Sequence, residues 1–237
     1  MTILVVGASG ATGKHLVEHL LNRGHHVRVI VRSKESISEF ARNHELITLI
    51  EASVLDLSDT EMAQHVLDCD AVASCLGHNM TFKGMFGKPR RLVTDAASRL
   101  CNAIKSNKPE KSCKYVLMNS SGNSNRDLNE PISFSHRLAV GLLRMLLPPH
   151  VDNEKASDYL RINIGQNDKD IEWSAVRPVN LINEEQVSEY KIYTSPIKSA
   201  IFDKSKTSRT NVAHFMADLI TDDEVWTKWK GQMPVIS

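Results

Sequence analysis

The sequence has no cysteine pair at redox or metal-ligand spacing, no internal repeat, no surplus of charge and no long apolar run. Each absence removes a class of function. The four cysteines, Cys69, Cys75, Cys101 and Cys113, form no C-x-x-C pair and have no histidine-rich neighbour. They read as reduced, mostly buried thiols, which excludes a disulfide scaffold and a zinc site. With 29 basic and 28 acidic residues the net charge is +1, so no general field draws the chain to nucleic acid or to an anionic membrane. No helix-turn-helix with a basic patch is visible. The longest apolar stretch, 138–147, is broken by Arg144 and is too short to span a bilayer. The run Ile3-Leu4-Val5-Val6 is too short for a signal segment and lacks a basic flank. The ten histidines are scattered and point to no metal. These exclusions leave the expectation of a cytoplasmic monomer or homodimer that works on a small molecule, with neither nucleic acid nor membrane as partner.

What is present is alternation. Hydrophobic residues make up 41% and charged residues 24% of 237, ordinary for one soluble domain spanning 1–237. Short β-branched runs at 2–6, 26–31, 47–51, 71–74 and 115–118 are separated by amphipathic stretches at 12–23, 35–43, 59–67 and 89–106. Leu16, Leu20 and Leu21 show the helical spacing in the first of these. Strands separated by helices predict βαβ units with right-handed crossovers, hence an α/β, doubly wound parallel sheet of the Rossmann type. Residues 125–153 depart from the pattern, opening polar at Asn125-Arg126-Asp127, turning apolar through Leu138–Leu143 and stopping at Pro148-Pro149. They read as an inserted loop and helix. A helix over 151–163 then leads into the strand Glu172–Val176. After it, 178–237 reads as a small C-terminal substrate cap, with a short strand near 190–194 and a helix over 211–220.

Between the first strand and the first helix stand Gly7, Gly10 and Gly13, in the string Gly7-Ala8-Ser9-Gly10-Ala11-Thr12-Gly13-Lys14. Alone, such a string is a glycine-rich turn. At the first βα turn of a chain with further βα alternations it predicts a dinucleotide site. The first glycine permits the sharp turn, the second lets backbone approach the pyrophosphate, and the third lets helix pack on strand. The helix N-terminus then offers amides and a positive dipole end to the anion.

The end of the second strand selects the dinucleotide. NAD sites place Asp or Glu there for the ribose 2′-hydroxyl. Here stand Arg32, Ser33 and Lys34. A guanidinium fork grips a 2′-phosphate that a carboxylate would repel, Lys34 and Lys14 add charge, and NADP(H) is the expected cofactor. Asp56 and Leu57, after the third strand, suit the adenine amino group and face, although Asp56 also reads as a cap for a helix near Ser58. Leu76 and Gly77, after the fourth strand, put small bulk where the cofactor crosses the sheet.

The glycine string 7–13, Asn119-Ser120-Ser121-Gly122, Lys155 within 154–160, Trp173–Pro178 and Thr207–Ala213 together resemble atypical short-chain dehydrogenase/reductases, nearly end to end. The branch is similar to biliverdin/flavin reductases and related redox-sensing regulators. The resemblance implies a cofactor lying along Asn119, Ser120, Pro178 and Val179, with Ser121 and Lys155 as catalytic residues. That superfamily usually adds a tyrosine four residues before the lysine as general acid/base. Here that position is Val151, while His150 and Tyr159 are off register. A ketone reductase is therefore disfavoured. Reduction of a flavin, quinone or tetrapyrrole tolerates the loss. The alternatives are a redox sensor without turnover and epimerase- or dehydratase-like chemistry.

Two segments stay open in the sequence. Met80, Phe82, Met85 and Phe86 line either an aromatic-acceptor pocket or a packed loop. The apolar stretch 134–147 roofs the same pocket or presents a dimer surface. Trp226 and Trp229 read as packing residues.

Overall fold

The computed structural model describes residues 1–78, 81, 86–128, 130, 147–196 and 205–237. The open questions about Met80, Phe82, Met85 and 134–146 fall outside them; Phe86 is exposed.

Strand β1 (Thr2–Val6) is apolar at every position after Thr2 because both its faces are covered. Ile3 and Val5 point to one side of the sheet, and Leu4 and Val6 to the other. Around it run β2 (His26–Val31), β3 (Ile47–Glu51), β4 (Ala71–Ser74), β5 (Cys113–Met118) and β6 (Ile171–Pro178). The order is β3-β2-β1-β4-β5-β6, all parallel, with Val5 opposite Val29 on one side and Ala73 on the other. Helices α1 (Gly13–Asn22), α2 (Glu39–Arg42), α3 (Asp59–Val66), α4 (Leu92–Asn107) and α5 (Pro148–Tyr159) follow the strands. Leu16, Val17, Leu20 and Leu21 of α1 form the stripe expected of it and pack on Ile3 and Val5. Residues of α3, α4 and α5 pack on Leu4, Val72, Tyr115, Leu117 and Trp173 across the sheet.

The C-terminal region is partly sewn into this body. Strand β7 (Asn180–Ile182) pairs with β9 (Lys206–Ser208) as a separate small sheet. Beyond it, α6 (Arg209–Thr221) packs beside α1, and α7 (Asp223–Trp229) buries Trp226 and Trp229 in the same core. Strand β10 (Val235–Ile236) then joins β6 in parallel, and β8 (Ile192–Tyr193) runs antiparallel on its far side.

Several boundaries moved for physical reasons. The helix expected over 35–43 is a 3-10 turn, Lys34–Ser36, followed by the single turn α2, which Ser38 caps through Ala41 N–H. Helix α5 starts at Pro148 instead of 151, because proline suits the first helical positions, whose N–H groups have no partner inside the helix. It ends in a π-helical turn, Leu160–Ile164, stopped by Gly165 at φ +73°. The N-cap of α3 is not Asp56 but Ser58, in a reciprocal capping box with Glu61. The strands β7, β9 and β10 and the helix α7 have too few residues to leave a periodic signal.

Candidate functional site

Parallel strands deliver their C-terminal ends to one edge, and there the expected site residues gather. From β3 to β6 they are Asp56-Leu57, Arg32–Lys34, the glycine turn, Leu76-Gly77, Asn119–Ser121 and Pro178-Val179.

The glycine turn is a cradle that side chains would fill. Gly7 adopts φ +75°, and a Cβ there would lie 2.6 Å from the Cys75 carbonyl carbon and 2.7 Å from Leu76 N, so β1 and β4 close on each other through it. A Cβ on Gly13 would lie 2.1 Å from Gly7 O, inside the turn itself. Gly10 is different: its Cβ would meet only Gly7 O at 3.1 Å and Cys75 O at 3.9 Å. Its N–H closes the turn on Gly7 O at 3.0 Å, and Lys14 N–H returns to Gly10 O at 3.0 Å. Thr12 is the N-cap of α1 and is buried, yet its side chain makes no capping bond. The first turn of α1 thus has no side-chain cap from Thr12. Burial against this turn pushes the Cys75 thiol up to about 12, which makes it inert.

Beside the turn, Arg32, Lys34 and Lys14 are exposed, and the side chain of none of them has a hydrogen-bond or ion-pair partner among the described residues. Ser33 donates its hydroxyl to Glu35. The loop after β3 is held from behind by Arg99 of α4, whose fork donates to Leu55 O at 2.6 Å, Val54 O at 3.2 Å and Leu57 O. Sequence reasoning had no signal for Arg99, which is one arginine on a helix face. Leu57 is half-buried, and Asp56 is exposed.

At the other end, Asn119 is buried and organises the end of β5. Its N–H donates to Val176 O, its Oδ1 accepts Ser120 N–H at 2.8 Å, and its Nδ2 donates to Asn153 O on α5 at 3.1 Å. Ser121 N–H donates to Pro178 O at 3.0 Å, joining β5 to β6, and its hydroxyl has no partner among the described residues. The α5 residues that meet this strand end are Asn153 and His150, whose ring lies 3.4 Å from where a Gly122 Cβ would be. Lys155 is exposed two residues further on, without a partner among the described residues. Its acidic neighbours Glu154 and Asp158 pair with Arg126 at 2.8 and 2.5 Å. Tyr159 packs against the core and bonds Ser98, and burial raises its phenol.

Sequence reasoning also missed a buried pair. His78 Nε2 stands 2.7 Å from Asp152 Oδ2, their side chains 5% and 1% exposed.

A model of the NAD(P)H-binding family matches residues 7–223. The chain belongs to that family. Membership makes the nicotinamide dinucleotide its cofactor class, and the cradle described above fits such a ligand. No curated protein matches the sequence. Among solved structures, the fold recurs in a short-chain dehydrogenase/reductase from Veillonella parvula in complex with NADP, at 17% identity and TM-score 0.70, covering 100% of this chain and 94% of that one. A candidate NADH-flavin reductase from Streptococcus pneumoniae gives 17% identity and TM-score 0.66 over 100% and 98% of the chains. A candidate NAD-dependent epimerase/dehydratase from Bacillus halodurans gives 20% and 0.70 over 100% and 93%. In fold the chain is thus similar to short-chain dehydrogenase/reductases. Among its described residues no helix is long and apolar enough to cross a membrane.

Proposed function

We propose that the protein is an NADPH-dependent reductase that passes hydride to a conjugated acceptor such as a flavin, a quinone or a tetrapyrrole. Bound NADPH would supply the hydride; the residues around it bind, orient and shield. One observation carries the reading: glycines and exposed cations gather at the ends of β1 and β2, while the position four residues before Lys155 carries no tyrosine. Val151 stands four residues before Lys155, and Tyr159 is packed against Ser98. A forming alkoxide needs a proton donor. A conjugated acceptor spreads the added charge and takes its proton from water. The exposed side chains of Arg32, Lys34 and Lys14 favour a 2′-phosphate over a plain ribose, because none is held in an ion pair among the described residues, although Lys34 also acts on the Glu35 carboxylate.

In this reading Ser121 orients acceptor or nicotinamide through its hydroxyl, and Lys155 reaches the nicotinamide ribose with its flexible stem. Asn119, Ser120, Pro178 and Val179 line the path between them. A second reading, a sensor that binds NADP(H) without turnover, is favoured by the exposure of Lys155 and by the presence of Asn153 and His150 on the α5 surface that meets β5. One experiment separates the two. NADPH oxidation is followed against flavins, quinones, biliverdin and small aldehydes, with binding measured in parallel. Oxidation by a conjugated acceptor but not by aldehydes supports the reductase. Tight binding with no oxidation by any acceptor refutes it in favour of the sensor.

A further inference from the structure

Asp152, three residues before Lys155 on α5, is a carboxylate with every acceptor direction in use. Its Oδ1 accepts Thr94 N–H at 3.0 Å and the Thr94 hydroxyl at 2.6 Å. Its Oδ2 accepts Val93 N–H at 2.8 Å and stands 2.7 Å from His78 Nε2. The donors come from the two ends of one connection: His78 lies just past β4, and Val93 and Thr94 form the first turn of α4. Burial alone raises the Asp152 pKa, but donation from His78, from Thr94 and from the two amides outweighs it and holds the group below the usual carboxylate value.

Part of this arrangement is a helix cap supplied from another helix. Arg91, the N-cap residue of α4, makes no side-chain capping bond, and Asp152 serves the orphan amides instead. Two amides and a hydroxyl already complete that cap. His78 is not needed for it. What the histidine adds is a tie between the turn at Leu76-Gly77 and the head of α5. At Gly77 no atom of the described residues lies within 4 Å of a would-be Cβ, so none of them packs on that turn there.

We propose that His78 and Asp152 are a positioning pair for the nicotinamide half of the crevice, an inference that rests on the dinucleotide reading above. The pair fixes the spacing between the backbone at the end of β4 and the helix beside the end of β5. That spacing is the width of the slot a nicotinamide ring has to enter. A ring held in a slot of fixed width loses less freedom at the moment of binding and meets the acceptor in one orientation.

The test uses the full chain and two probes, NADPH and adenosine 2′,5′-bisphosphate, which occupies the adenosine end alone. His78→Leu removes the tie, His78→Gln keeps an N–H donor, and Thr94→Val weakens the cap without touching His78. Thermal melts and far-UV circular dichroism accompany each variant. His78→Leu is expected to weaken NADPH binding about tenfold, as for one lost hydrogen bond to a charged group. The bisphosphate affinity should stay within about twofold, and His78→Gln should recover most of the NADPH affinity. Thr94→Val should lower the melting temperature and leave the ratio of the two affinities unchanged. Should the leucine variant not fold, His78→Asn, too short to reach Asp152, takes its place. Equal losses for both probes, or no loss for NADPH, would overturn the pair while leaving the cofactor reading intact. If the unaltered protein binds neither probe, the dinucleotide reading falls and the pair with it.

Discussion

Gly10 and Gly13 look alike in sequence, and the structure assigns them opposite consequences. A Cβ on Gly13 would sit 2.1 Å from Gly7 O, 2.9 Å from Gly7 C and 3.0 Å from Ala8 Cα, all backbone. Relief requires the helix to move by more than an ångström from the turn. Overpacking of that kind costs about 1–3 kcal/mol. At roughly 2–4 °C per kcal/mol for a chain of this size, Gly13→Ala should lower Tm by about 2–12 °C. A Cβ on Gly10 would stand 3.1 Å from a single carbonyl oxygen, which a few tenths of an ångström relieve. Loss of glycine freedom in the unfolded chain offsets that by about 0.4–1 kcal/mol. Gly10→Ala should therefore hold Tm within about 2 °C. The same methyl stands where a pyrophosphate would approach backbone, so NADPH affinity should fall about tenfold or more. In Gly10→Val, binding should vanish with the fold intact. Calorimetric titration and thermal melts on the same samples decide it. If Gly10→Val binds NADPH as the unaltered protein does, the turn is not the phosphate site. If Gly13→Ala melts unchanged, the packing argument is wrong.

Replacing Arg32 by aspartate should reverse or erase a preference for NADPH over NADH, at about 1.5–3 kcal/mol for a lost charge-assisted contact; equal affinities in the unaltered protein would already refute the selectivity argument. Lys155→Ala should weaken NADPH binding and slow turnover together, and Ser121→Ala should cost on the order of tenfold in turnover. If Lys155→Ala changes neither, the ribose contact passes to Asn153, the α5 residue bonded to the end of β5. Acid should weaken the fold through its histidines. Burial first, then Lys14 for His15, His214 and Arg23 for His19, and the N-terminus and Arg23 for His25, hold all three pKa values below the usual 6.5. The unfolded chain takes up these protons more readily, so the stability they contribute is full above about pH 6.5 and is lost as pH falls through the lowered values. Tm should drop between pH 7 and pH 5, and His19→Gln should shrink the drop; a flat profile in the unaltered protein would contradict the linkage.

The sheet was legible because its strands are buried on both faces and therefore read as apolar runs, and because α1 shows its stripe in Leu16, Leu20 and Leu21. The candidate site can be read from the sequence where it consists of glycines and charges at strand ends, since Gly7, Arg32 and Ser121 stand where apolar runs stop. Residues that act through long-range contacts left no such mark. Arg99 reaches carbonyls more than 40 positions away, and Asp152 reaches His78 across 74. The side of α5 that Lys155 occupies depends on where the helix begins, and Pro148-Pro149 read as a stop in the sequence when they are its start. Two- and three-residue strands such as β10 exist because the neighbouring edge of β6 supplies their partners, which no local pattern encodes.

Arg177 was noted in the sequence only as part of a string, yet its fully buried guanidinium is where four distant pieces of chain meet. It donates to Asn123 O at 2.9 Å, Met233 O at 2.6 Å and Thr194 O at 3.1 Å, and pairs with buried Glu130 at 2.8 Å. None of these segments can lift away alone without leaving part of that charge in the core unpaired. Local fraying, common in loops and short edge strands, is thereby made expensive here. Amide hydrogen exchange should accordingly show the chain around Asn123, the end of β8 and β10 opening as one cooperative unit with β6, at a single free energy, although β8 and β10 are strands of only two residues.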